Sequence, residues 1–195
     1  MDEHLPTAVL ETGLDHIRRS PADLGRIELI VARLAVDERE VLAEAGLDPA
    51  CGLAGDTWAA RGSSRTADGS AHPDMQLTLM NARAALLVAG DPGRRPLCGD
   101  QLYVDLDLSP GNLPAGTRLA MGTAVIEITA QPHTGCKKFA ARFGIDALRF
   151  VNSRTGRSLR LRGANCRVLV AGTVRAGDLI RKLPAAQFAA AAAAP

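Results

Sequence analysis

Apolar and polar residues alternate along two stretches of the chain. In 101–108, Leu102, Val104, Leu106 and Leu108 share one face, while Gln101, Tyr103, Asp105 and Asp107 share the other. In 124–129, Ala124, Ile126 and Ile128 oppose Val125, Glu127 and Thr129. A period of two predicts strands in both, and in 101–108 the apolar set is expected inward and the polar set outward. Shorter runs predict strands at 76–80, 118–121, 165–170 and 179–183. The run from Arg26 to Leu34 also reads as a strand, though it is so apolar that periodicity alone leaves a helix open. A strand is the weaker reading of 38–45. Helical spacing is rarer. Leu10, Leu14 and Ile17 share a face in 7–19. Asn81 can cap a helix that runs through Ala89 and stops at Gly90. Phe139 and Phe143, four apart, predict a short helix ending at Gly144, with 145–151 adding a turn or two. Ser20-Pro21, 91–95, 110–116, 152–157, Gly172 and Gly177 punctuate these elements as turns. Residues 51–69, rich in Gly, Ser, Asp and Arg, read as a long loop, a kind that often carries function. Many short strands with few helices predict a mostly β (α+β) chain folded as a β-barrel.

Length and composition narrow this reading. A chain of 195 residues, 47% hydrophobic, fits one domain with a real core. The expected division is an N-terminal helical extension over 1–25, a barrel over 26–183 and an Ala-rich, frayed tail over 184–195. No apolar run reaches the ~18 residues of a membrane span. The N-terminus lacks the basic start and apolar block of a secretory signal, so a cytoplasmic location is expected. The four cysteines, at 51, 98, 136 and 166, form no CxxC pair, and the four histidines are scattered, which argues against disulfides and a conventional zinc site. Net charge is +2 but uneven: 131–183 holds 12 Lys or Arg against 2 Asp or Glu, and the rest holds 11 against 19. A basic second half suits a small anionic ligand. Aromatics at 3% leave few platforms for stacking nucleic-acid bases.

The candidate chemistry lies in Gln131-Pro132-His133-Thr134-Gly135-Cys136-Lys137-Lys138-Phe139. Pro132 ends the preceding strand, and Thr134 is a plausible cap for the helix that follows. Cys136 is then expected in the first helical turn, where free backbone amides and nearby Lys137, Lys138, Arg142 and His133 favour a thiolate. Adjacent residues do not share a helix face, so at most one of the two lysines should point at the thiol. His133 could move a proton or bind the ligand. Arg162 could clamp an oxyanion. Asp56 more readily fixes its own loop than does chemistry, and Trp58 could stack on a flat ring or simply pack. Cys51, Cys98 and Cys166 are read as packing residues.

Several segments in order resemble the MOSC domain, the module found at the C-terminus of molybdenum cofactor sulfurases. They are Gly52-Leu53-Ala54-Gly55-Asp56-Thr57-Trp58, Leu97-Cys98-Gly99-Asp100-Gln101-Leu102, Leu113-Pro114-Ala115-Gly116-Thr117-Arg118-Leu119, the stretch from Pro132 to Gly144, and Leu161-Arg162-Gly163 with 170–178. The resemblance implies a barrel like the barrel domain of pyruvate kinase, and a cysteine, Cys136, that carries a persulfide or ligates molybdenum. It implies molybdenum cofactor as the cofactor. The implied partner is a sulfur donor such as a cysteine desulfurase, or an electron donor for reduction of N-hydroxylated compounds. A homodimer is left open. Thr134, Gly135, Lys137, Lys138, Arg142, Arg162, Asp56, Trp58 and Gln101 become candidate cofactor contacts, and Cys136 and His133 candidate catalytic residues. Thr57-Trp58 and Asp100-Gln101 depart from the family's usual residues at those positions. The chain has no room for the aminotransferase-like domain that carries pyridoxal phosphate in full sulfurases, so that cofactor is not expected. A non-catalytic barrel that holds an anionic ligand or partner protein remains the alternative.

Overall fold

The computed structural model of the chain describes residues 4–184. Eleven strands are present among them. The first six are β1 (Gly25–Ala35), β2 (Glu38–Leu42), β3 (Glu44–Asp48), β4 (Gly52–Leu53), β5 (Leu77–Asn81) and β6 (Leu102–Asp105). The others are β7 (Arg118–Met121), β8 (Ala124–Ile128), β9 (Ala164–Val170), β10 (Gly172–Arg175) and β11 (Leu179–Leu183). Seven of them close a barrel in the order β1-β6-β5-β9-β8-β7-β11 and back to β1. The closing seam is short: Gly25 faces Ile180 and Arg26 faces Leu179. Only β5 and β6 run parallel. Such a pair needs a crossover, here α4 (Ala82–Ala89) and the 3-10 turn Pro92–Cys98. β2 continues β1 past the barrel as a hairpin, and β10, β3 and β4 form a separate small sheet.

Two cores explain the apolar pattern. Inside the barrel, Ile27, Leu79, Leu102, Val104, Ile126 and Ile128 meet, with Cys166 among them. A second core lies between the barrel's outer wall and its helices: α1 (Thr7–Thr12), α2 (Leu14–Arg18), α4 and α5 (Lys137–Asn152). Val31, Met80 and Tyr103 supply the wall, and Leu10, Ile17, Phe139, Phe143 and Phe150 come from the helices. Each such side chain contributes ~1.5–3 kcal/mol when fully buried.

The differences from the sequence reading have physical causes. Tyr103 and Gln101 were expected to face solvent, yet both are fully buried because helices and loops cover that face of β6. Asp105 does point outward, where it pairs with Arg83 at 2.7 Å. The helix over 7–19 is split at Gly13, and 38–45 divides into β2 and the start of β3. The turn region 172–177 contains β10. The turn 152–157 contains α6 (Arg154–Ser158), capped by Ser153 Oγ accepting from Gly156 N at 2.9 Å. α4 forms as read: Asn81 Oδ1 accepts from Ala84 N at 3.0 Å, and Gly90 ends it in the left-handed region. Gly144, at φ 88°, breaks α5 where a stop was expected, and the helix resumes to Asn152. The Ala-rich tail falls outside the described residues. No described helix is long and apolar enough to cross a membrane.

Candidate functional site

Two amide side chains hold the segment between β8 and α5. Asn165 Nδ2 donates to Gln131 O at 3.2 Å. Asn152 brackets Gly135, accepting from its N at 2.9 Å and donating to its O at 3.1 Å. With both polar groups of Gly135 engaged, the backbone stays extended through Cys136 (φ −125°, ψ 178°) and the helix starts at Lys137. Two expectations are thereby corrected. Cys136 is the N-cap residue, not a member of the first turn, and it makes no capping hydrogen bond. Thr134 lies two residues before the cap, exposed, and does not cap the helix.

Cys136 is exposed at a cavity of about 230 Å³. His133 lines the same cavity, as do Trp58 and Arg61 from α3 (Trp58–Arg61). Arg33 and Arg39 enter from the β1–β2 hairpin, Lys138 and Arg142 from α5, and Arg162 from the residues before β9. Six cations therefore line the cavity, and no carboxylate does. They come from both halves of the chain, so the uneven charge along the sequence did not locate them.

Two carboxylates stand behind this lining. Asp56 takes a fork from Arg33, Nε to Oδ2 at 2.8 Å and Nη2 to Oδ1 at 2.7 Å, and accepts from Trp58 N at 2.8 Å. Burial works to raise its pKa, but the Arg33 guanidinium prevails and holds the carboxyl below its ordinary value. Asp100, whose side chain is 0% exposed, meets Arg162 Nη1 at 2.6 Å. Arg162 Nη2 also donates to Cys98 O at 3.0 Å, and the guanidinium lies 5.1 Å from the Phe139 ring centroid. Burial opposes the charge on both members: it raises the Asp100 carboxyl above its ordinary value against the pull of Arg162, whereas on Arg162 the Asp100 carboxylate outweighs burial and keeps the guanidinium protonated. His133 Nδ1 lies 3.5 Å from Asp100 Oδ1.

His133 is held neutral. Its side chain is 14% exposed, and burial, reinforced by Arg162 and Arg33, pushes its pKa well below 6.5. It therefore does not supply the positive charge beside the thiol that the sequence suggested. The sign for stability follows. Below about pH 6.5 the unfolded chain takes up a proton at this histidine that the folded chain resists, so folding weakens as pH falls toward the folded-state pKa. The expected loss from this group is at most ~1.4 kcal/mol per pH unit. Urea unfolding of the wild type and His133→Gln at about pH 7 and 5.5 reads it. The variant should lose that part of the acid slope, and equal slopes would contradict a buried neutral imidazole.

The remaining predicted residues divide. Lys138, Arg142, Arg162 and Trp58 line the cavity with Cys136 and His133, whereas Lys137 does not, as the helix spacing required. Asp56 sits behind the cavity, as does Gln101, whose Oε1 accepts from Thr78 Oγ1 at 2.6 Å and Thr78 N at 2.9 Å. Gly135 is occupied by Asn152, and Thr134 lines a neighbouring cavity of about 390 Å³ that shares His133, Arg162 and Asn165 with the first. Cys98 lines the cavity, but burial pushes its thiol up to about 12, and burial raises Cys166 further. Cys51 is exposed, not packed. Sequence reasoning missed Arg33, Arg39, Arg61, Asn152 and Asn165. A signal existed for Arg33, since a charge inside an otherwise apolar strand requires a partner.

A closed barrel with a cysteine at the mouth of a cation-lined cavity defines the class. The chain belongs to the MOSC domain family, whose sequence profile matches residues 55–181. That family is associated with molybdenum cofactor binding or sulfur handling. Solved structures share the fold, three of them as follows. The YuaD protein of Bacillus subtilis superposes at TM-score 0.60 with 17% identity, over 80% of this chain and 94% of that one. YiiM of Escherichia coli gives TM-score 0.53 and 22% identity, over 82% and 70%. YiiM of Geobacillus stearothermophilus gives 0.54 and 17%, over 82% and 75%. No curated protein sequence matches the chain.

Proposed function

We propose that this protein handles sulfur or molybdenum cofactor through the Cys136 thiolate. The observation that carries this reading is a single exposed thiol at a cavity lined by six cations and no carboxylate. Sulfur transfer and soft-metal ligation both use the thiolate, and anionic groups are what such a cavity would receive.

The residues present fit the cofactor. Trp58 Nε1 and Arg162 Nε are buried donors without a hydrogen-bond partner among the described residues, and both side chains line the cavity. No cluster of three His, Cys, Asp or Glu among the described residues could hold a bare metal ion, so a metal here would arrive on an organic carrier and take Cys136 as its protein ligand. Bound there, the cofactor would supply a redox-active metal able to exchange two electrons with a substrate such as an N-hydroxylated compound. Arg39, Arg61 and Lys138 would bind its anionic groups. Trp58 would donate from Nε1, and neutral His133 would hold or accept a proton at the cavity wall. A cysteine desulfurase or an electron-donating protein would be the partner.

The test is metal analysis together with intact mass of protein made in a cofactor-competent host and purified without reductant. Stoichiometric molybdenum, or the mass of an added sulfur atom, is expected in the wild type and not in Cys136→Ser. Neither signal in the wild type, or equal signals in the variant, would move the function to a non-catalytic anion-binding barrel.

A further inference from the structure

The cavity carries more positive charge than the protein neutralises. Arg33, Arg142 and Arg162 have Asp56, Asp37 and Asp100 as partners. Arg39, Arg61 and Lys138 line the same space and form no ion pair among the described residues. Burial, then the neighbouring Arg142 and Arg33, lowers the pKa of Arg39, and burial and Arg33 lower that of Arg61. The guanidiniums are thus crowded and repel one another. Hydrogen-bonding capacity points the same way. Trp58, 8% exposed, and Arg162, 7% exposed, both line the cavity, and each has a donor nitrogen without an acceptor among the described residues. Arg39 Nε likewise has no partner among the described residues. His72 Nδ1 accepts from Asp74 N at 3.2 Å, which puts the ring proton on Nε2, one more donor in the lining. Beside one unpartnered acceptor, Asn165 Oδ1, the wall holds six cations and several unpartnered donors, a set that favours a compact, multiply charged acceptor, which is an oxyanion.

What separates this cavity from a plain anion site is the thiol at its mouth. We propose that the cavity binds a small sulfur oxyanion with a terminal sulfane sulfur, the thiosulfate class, and that Cys136 takes that sulfur from it. The inference rests on the reading that Cys136 handles sulfur and names the donor. The step balances without an outside oxidant or reductant. The Cys136 thiolate attacks the sulfane sulfur, a new sulfur–sulfur bond forms, and the bond from the sulfane sulfur to the sulfonate breaks. Its electron pair leaves on sulfite, a dianion, and Cys136 is left as the persulfide anion. Thiolate and donor repel each other, and the charge shifts onto the sulfite oxygens as the bond breaks. Arg39, Arg61 and Lys138, which form no ion pair among the described residues, offset the repulsion and receive that charge.

The experiment incubates reduced, desalted full-length protein with thiosulfate and follows intact mass and released sulfite. One added sulfur on Cys136 and one sulfite per chain are expected, with neither in Cys136→Ser. The double variant Arg39→Gln/Arg61→Gln, which breaks no ion pair, should load at least about tenfold more slowly. Arg154→Gln, exposed on α6 and outside the cavity, should load at the wild-type rate. A parallel sample receives a cysteine desulfurase and cysteine. If the desulfurase loads Cys136 and thiosulfate does not, the oxyanion donor is refuted and the sulfur-handling reading stands. If neither loads it, both are refuted. Loading by thiosulfate that ignores the two arginines would refute the cavity as the donor site.

Discussion

Asp100→Ala should lower the free energy of unfolding by ~3–5 kcal/mol, the usual cost of leaving one member of a buried ion pair alone. Asp100 is fully enclosed and Arg162 nearly so, 2.6 Å apart. Without the carboxylate, the guanidinium keeps Cys98 O and the Phe139 face but loses its counter-charge where it is only 7% exposed. His133 also loses the oxygen 3.5 Å from its Nδ1. Urea unfolding followed by far-ultraviolet circular dichroism measures the loss as a shift in midpoint. The double variant Asp100→Leu/Arg162→Met should recover most of it, because removing both charges removes both desolvation costs. A single variant within about 1 kcal/mol of wild type would mean that water reaches the pair, as it does for exposed ion pairs.

Gly163→Ala should be nearly as damaging, and a second glycine separates the two causes. Gly163 has φ 101°, and a Cβ there would stand 2.1 Å from Leu79 O and 3.0 Å from Leu79 C. Those atoms belong to β5, which pairs with β9 at Leu79↔Ala164. They cannot swing aside as the end of a flexible side chain could. Gly177 has φ 95° with nothing within 4 Å of the same added atom. Gly177→Ala should therefore cost only the left-handed backbone strain, ~1–2 kcal/mol. Gly163→Ala adds the clash and should reach ~3 kcal/mol or more. Thermal unfolding of both proteins under one condition tests this ordering, and equal losses would show that β5 yields. Gly163 follows Arg162 directly, so its variant should also disturb the cavity wall.

Periodicity located β7 and β11 to the residue and α4 together with both caps, because a local pattern suffices for a short strand or a capped helix. It misjudged Tyr103. Alternation says that two residues face opposite ways, but not whether the second face is covered, and here helices cover it. The site was legible where chemistry is local, at Cys136, His133 and Lys138. It was not legible at Arg39 and Arg61, which look like ordinary surface cations and enter the cavity only through the barrel's long-range pairing. Asn152 lies 17 residues from Gly135, and no local rule joins them. The extra half-step that moved Cys136 from the first helical turn to the cap came from that contact.

The barrel's closing seam joins strands roughly 150 residues apart in the chain, and Ile27 adds bonds across it, N to Asp178 O at 2.9 Å and O from Gly177 N at 2.7 Å. A ribosome adding ~5–20 residues per second needs on the order of ten seconds to pass from one side of the seam to the other. Through that interval the first residues of β1, 25–27, wait for a partner that has not been made. Translation that pauses before Leu179 prolongs the wait, and the unclosed sheet becomes a target for chaperones and proteases. Output of this protein in the cell should therefore respond to elongation speed over its last two strands, even when codon changes leave every amino acid the same.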